Sequence, residues 1–170
     1  MLTYNPNKDY PISDPTGSYT FRFYAWDTSF APSNIATVSL NIINVNDLPL
    51  PANQVVRINE HRDPQSPTKS IPLMATDPDN SQLTFYIDKL PSQGTLGGYD
   101  SNTKRVTTTP PTVTYTPTDK KYHGSDSFTF NVYDGTAYST SSATVSIIIS
   151  PTNDPPTATS PPAPFDVVED

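Results

Sequence analysis

Residues 127–134, SFTFNVYD, and residues 143–149, ATVSIII, decide the fold. In the first stretch Phe128, Phe130 and Val132 fall on one side of an extended chain, and Thr129, Asn131 and Tyr133 on the other. In the second, Val145, Ile147 and Ile149 share a side while Thr144 and Ser146 take the opposite one. A period of two with β-branched and aromatic residues is the pattern of a half-buried strand. Asp134-Gly135 opens a turn between the runs, so they are predicted to pair as an antiparallel hairpin.

Working outward, the same alternation places Leu83, Phe85 and Ile87 on an inner face, and Ile71, Leu73 and Ala75 on another. Pro72 lacks an N–H to give to a ladder and is expected at a sheet edge. Residues 54–59, 112–116 and, more weakly, 104–107 complete a set of about seven strands at the spacing of a Greek-key sandwich. Twenty prolines against six glycines, with ten tyrosines and seven phenylalanines, describe short aromatic strands divided by rigid turns, and almost no helix is expected. The fold class is therefore read as all-β, a seven-stranded Greek-key sandwich.

The chain also repeats itself. LTYNP, SYTFRFYAWD and ATVSLNIINVNDLP are answered by VTYTP, SFTFNVYDG and ATVSIIISPTNDPP. Tyr4 matches Tyr115, Phe21 matches Phe130, Val38 matches Val145 and Asp47 matches Asp154, a displacement of roughly one immunoglobulin-sized domain. Residues 1–49 then read as the C-terminal half of a repeat and 50–157 as a complete one. Residues 158–170 read as a linker and the first strand of a third, because FDVVED echoes VVRINE.

Oxygen-bearing side chains gather at the predicted ends of the complete repeat. Asn46-Asp47, Asp77-Pro78-Asp79-Asn80 and Asp134 fall at the end where the chain comes in, since the loops after the second and sixth strands of such a sandwich share that end. Glu60, Asp126 and Asn153-Asp154 fall at the other. Asp, Asn and Pro are also ordinary turn residues. Converging carboxylates repel unless a cation lies between them, and calcium takes six to eight oxygens of this kind. Asn46, Asp47, Asp77, Asp79, Asp134, Glu60, Asp126, Asn153 and Asp154 are the candidate calcium ligands.

These elements resemble the cadherin-like repeats of large bacterial and protist surface adhesins. The resemblance rests on Glu60 after the first strand, Asp77-Pro78-Asp79, the block GSDSFTFNVYDGT with Asp134, and the linker Asn153-Asp154-Pro155-Pro156. It implies a cadherin-type sandwich, calcium bound between successive repeats, an extracellular or cell-surface setting, and neighbouring repeats of the same chain as partners. A surface protein or a glycan is the implied ligand of the array. The linker lacks one acidic residue of the Asp-x-Asn-Asp-Asn linker of animal cadherins.

Other classes fit less well. A net charge of −7 opposes nucleic acid and anionic lipid, which call for clustered Lys and Arg. No apolar run approaches the length of about 20 residues that spans a bilayer, and the first residues lack a signal-peptide layout, so export is expected to be encoded elsewhere. The chain has no cysteine, hence no disulfide framework and no thiolate metal site. His61 and His123 lie in no catalytic motif, and no phosphate loop, HExxH or GxSxG is present, so no enzyme is expected. The alternative is a passive spacer or a carbohydrate-binding sandwich attached to a secreted enzyme, with Tyr24, Tyr86, Tyr133 and Trp26 as a stacking platform.

Overall fold

A computed structural model of the chain describes residues 3–5, 18–43, 45–60, 68–79, 82–153, 156 and 158. Its strands are β1 (Ser18–Phe23), β2 (Ala36–Asn41), β3 (Leu50–Pro51), β4 (Gln54–Asn59), β5 (Lys69–Pro72), β6 (Ala75–Thr76), β7 (Thr84–Lys89), β8 (Gly94–Gly97), β9 (Thr112–Pro117), β10 (Gly124–Tyr133) and β11 (Ala143–Ser150). Among the described residues there is no helix.

Residues 50–150 form two facing sheets. One runs in the order β4-β11-β10-β7 and the other β5-β9-β8, with β3 and β6 paired as a short ribbon beside them. β10 and β11 form the antiparallel hairpin expected from the sequence, with Phe128 opposite Val145. β7 lies antiparallel on the other side of β10. The first long strand of the repeat, β4, runs parallel to the last, β11, setting Val56 opposite Ile147 and Ile58 opposite Ile149. A parallel neighbour cannot follow through a tight turn, and here the whole sandwich separates the two strands.

The alternation read from the sequence becomes burial. Ile71, Val113, Tyr115, Phe128, Phe130, Val132, Val145 and Ile147 are shut off from solvent between the sheets. The rings of Phe85 and Phe130 meet at 5.9 Å across β7 and β10. Burying each such ring stabilises the fold by roughly 1.5–3 kcal/mol. Pro72 sits in β5, an outer strand of its sheet, where its missing N–H costs no ladder bond.

The count of seven strands does not describe this arrangement, and residues 104–107 form no strand. Asn102 and Thr103 donate backbone N–H groups to the Asp100 carboxylate, Lys104 turns to a φ of 62°, and only isolated bridges join Arg105 to Tyr86 and Val106 to Tyr99. The turn around Asp100 bends the backbone away from a continuous ladder. β8 went unforeseen because it begins and ends with glycine. Gly94 passes so close to the Tyr115 ring that a Cβ there would lie 2.3 Å from it, so the residue that disguises the strand is the one the packing requires.

The hairpin β1–β2 repeats β10–β11 in detail. Phe21 faces Val38 as Phe128 faces Val145, a displacement of 107 residues for both partners. The register therefore matches Phe21 to Phe128, not to Phe130. A slip of two residues keeps every side chain on its own face, which is why alternation alone did not separate the two matches. The turns agree as well. Ala25 donates its N–H to the Ser33 hydroxyl and accepts from the Ser33 N–H, and Val132 and Ser139 do the same.

Candidate functional site

Asp134 directly follows β10 and is buried. Its Oδ1 accepts the backbone N–H groups of Thr136 at 2.6 Å and Ala137 at 2.7 Å, an aspartate turn that folds the chain back toward β11. The Asn46 side chain reaches it from the incoming linker, donating from Nδ2 to Asp134 Oδ2 at 2.9 Å and to its neighbour's carbonyl, Asp47 O, at the same distance. The Ala137 N–H and the Asn46 amide favour the ionised form and, against burial, hold the Asp134 carboxyl below the usual carboxylate range.

The loop after β6 supplies the second anchor. Asp77 Oδ1 accepts the Asp79 N–H at 2.8 Å, and Asp79 Oδ2 in turn accepts the backbone N–H of Asp47 at 2.5 Å. Consecutive linker residues thus hold two different loops, Asn46 through its side chain and Asp47 through its main chain. Five of the nine candidate residues, Asn46, Asp47, Asp77, Asp79 and Asp134, come together here.

This donor set is all oxygen, carboxylate and amide, and suits a hard cation such as calcium. Among the described residues no three Asp, Glu or His side chains already surround a common point. One oxygen of Asp134 and one of Asp79 accept N–H groups of the linker instead, Asp134 from the Asn46 side chain and Asp79 from the Asp47 main chain. Ligation would require the amide of Asn46 to turn and Asp47 to release Asp79. Asn46 and the acids fit the ion chemically.

The opposite end is arranged differently. Glu60, just beyond β4, accepts the Thr152 N–H on Oε1 at 2.8 Å, while its carbonyl accepts the Thr152 hydroxyl at 2.9 Å, so it fastens the outgoing chain to the first long strand. The other oxygen, Oε2, lies 3.3 Å from His123 Nδ1, a contact without any motif in the sequence. Asn153 is exposed next to Thr152, and Asp154 lies outside the described residues.

Asp126 does not join Glu60, contrary to the expectation from sequence. It lies within β10 rather than in the turn before it, is buried, and accepts from the N–H groups of Ser92, Gln93 and Ser127 and from the Tyr115 hydroxyl. Burial pushes its carboxyl upward, but those bonds outweigh it and hold the group below its usual range. Oxygens so fully engaged in a strand interior serve the fold.

Two features escaped the sequence reading. Asp27 stands where Asp134 stands in the later hairpin, and its Oδ1 likewise accepts two turn N–H groups, from Ser29 and Ala31. Tyr138 joins Tyr86 and Tyr133 on the outer face of the four-stranded sheet, with ring centres 5.6 and 4.7 Å away. Trp26 and Tyr24 are exposed and meet edge to face at 5.7 Å.

The chain is similar to several solved structures, and the likeness to the following two is one of fold alone. The human desmocollin-1 ectodomain matches 81% of this chain at 13% identity with a TM-score of 0.41. The endo-fucoidan hydrolase MfFcnA4 from glycoside hydrolase family 107 matches 83% at 19% identity with a TM-score of 0.39. The chain spans 28% of the first structure and 20% of the second. Among curated proteins none matches the sequence. The family model of the bacterial cadherin-like domain matches residues 46–151, from the linker asparagine that holds Asp134 to the end of β11. With that span covering more than half of the sequence, the chain belongs to the bacterial cadherin-like domain family.

Proposed function

We propose that this chain is a structural and adhesive segment of an extracellular tandem-repeat protein, in which calcium fixes the linker between one repeat and the next. The observation that carries the reading is the double anchorage of consecutive linker residues, Asn46 to Asp134 and Asp47 to Asp79. A linker held by its own amides on two acidic loops is close to a geometry in which a cation would bridge the same groups. Calcium would replace hydrogen bonds by ligation and convert a hinged connection into a stiff one.

The role is non-catalytic, and the partners are neighbouring repeats, with a surface protein or glycan met by the array as a whole. At extracellular affinities of about 0.1–1 mM, millimolar calcium adds only about 0.4–1.4 kcal/mol per site, so the ion governs stiffness while the sandwich core carries stability. The carbohydrate-binding alternative ranks second, because Tyr86, Tyr133 and Tyr138 turn toward one another instead of forming a flat row of rings.

Calorimetric titration of the chain and of the double variant Asp77→Asn/Asp79→Asn tests this. Binding in the millimolar range or tighter, lost in the variant, supports it. Absence of binding heat in both proteins removes calcium from the account and leaves a passive spacer.

A further inference from the structure

A second cleft, of about 620 Å³, is lined by residues 82–85 at the start of β7 and by residues 105–109 with Pro111. Sites that enclose small ligands hold about 300–1,000 Å³. Phe85 and Val106 are buried and give the cleft its apolar base. Thr84 and Tyr86 alternate with the buried Phe85 and Ile87, so both lie on the outer face of the four-stranded sheet. An isolated bridge sets Arg105 beside Tyr86, and Tyr133 stands opposite Thr84. Opposed residues share a face. Arg105 and Thr84 therefore stand on the same face as Tyr86, Tyr133 and Tyr138, of which Tyr138 is 52% exposed.

Two threonines of the cleft serve the fold. Thr107 donates its hydroxyl to Gly98 O, and the Thr108 hydroxyl both donates to and accepts from the backbone of Thr112. The hydroxyls of Thr84 and Thr109 hold no hydrogen bond among the described residues. Arg105 is exposed, and no Asp or Glu stands among the described residues that line the cleft. Asp88, two residues beyond Tyr86 on the same face, accepts the hydroxyls of Thr129 and Ser142. In a chain of net charge −7 this leaves a local cation bordered by neutral hydroxyls and an aromatic face.

We propose that this cleft binds an acidic glycan, with a sugar carboxylate on Arg105, sugar hydroxyls on Thr84 and Thr109, and the apolar side of a sugar ring against Tyr138. The inference rests on the reading that the array meets a glycan and is independent of calcium. A planar guanidinium meets a planar carboxylate with two parallel bonds. A phosphate group carries more charge and calls for clustered cations, and Arg105 is the one cation among the described lining residues. A neutral sugar would cover the guanidinium without pairing it. An acidic peptide would pair Arg105 but leave the two hydroxyls and the tyrosine unused.

The test follows amide resonances of the chain, in excess EDTA, during addition of a galacturonic acid trimer up to about 10 mM. The amides of Thr84, Arg105 and Thr109 should shift together while those of β10 and β11 stay in place. Arg105→Met should weaken binding at least about tenfold, with part of the loss restored by Arg105→Lys, and Thr109→Val should weaken it about fivefold. A neutral galactose trimer should bind at least about tenfold more weakly than the acidic one. Shifts with the acidic trimer that lie elsewhere, or that survive Arg105→Met, overturn this site while leaving a glycan as partner of the array. Silence with both trimers overturns the site and the glycan together, and EDTA keeps the calcium account out of either result. A glutamate tripeptide that binds the same amides as tightly identifies an acidic peptide as the occupant and overturns the proposal.

Discussion

The Tyr115 hydroxyl donates to Asp126 Oδ2 at 2.9 Å, joining β9 of one sheet to β10 of the other inside the core. Ser92 and Gln93 close the same carboxylate from the loop before β8. An ionised group is tolerated there because donors from three chain segments replace its water. Burial of the Tyr115 ring, the hydrogen bond to Asp126 and the negative charge of that carboxylate push the phenol upward from its ordinary value.

Tyr115→Phe should cost about 1–2 kcal/mol, since the ring still fills its place and only the donor is lost. Asp126→Asn should cost more, and its penalty should depend on pH. The folded carboxyl titrates below its ordinary value of 3.8. The stability it contributes is therefore complete above that value and is lost as pH falls through the lower folded one. Urea midpoints for the chain and the variant should differ at about pH 7 and draw together as pH falls below 3.8. A gap that stays constant would show that the charge is irrelevant.

Gly94→Ala tests the close approach beneath Tyr115. The added methyl would overlap the ring, and the core has no room to move it, so a loss of about 1–3 kcal/mol is expected in thermal or urea unfolding. Gly97→Ala, where the nearest atom lies at 3.9 Å, serves as the control and should be much milder. Equal effects would mean that strand propensity, and not the ring, explains the glycine.

Asn46→Ala removes the linker's hold on Asp134 without touching the core. The Asp47 amide should then exchange about fivefold faster, while amides of β10 and β11 keep their protection. Faster exchange across the whole sandwich would show instead that Asn46 is part of the folding unit.

Much of this was legible in the sequence, and the reasons are particular. Phe128, Phe130, Val132, Val145, Ile147 and Ile149 lie in strands buried on one face and wet on the other, and that asymmetry writes itself as strict alternation. The meeting of Asn46 and Asp47 with Asp79 and Asp134 followed from which loops share an end of a sandwich. Asp126 was misplaced because an acid beside Gly124 and Ser125 looks like a turn residue. Only the fold reveals Tyr115, Ser92 and Gln93 converging on it. The His123–Glu60 contact spans 63 residues and carries no local signal at all.

The central claim, that the linker of Asn46 and Asp47 is where a cation acts, is tested most directly by following amide resonances during calcium addition. The Asn46 side-chain amide and the Asp47 and Asp79 backbone amides should shift together and saturate near about 1 mM, with the core of β10 and β11 unmoved. Silence at those three groups up to about 10 mM calcium, or shifts confined to other loops, would contradict it.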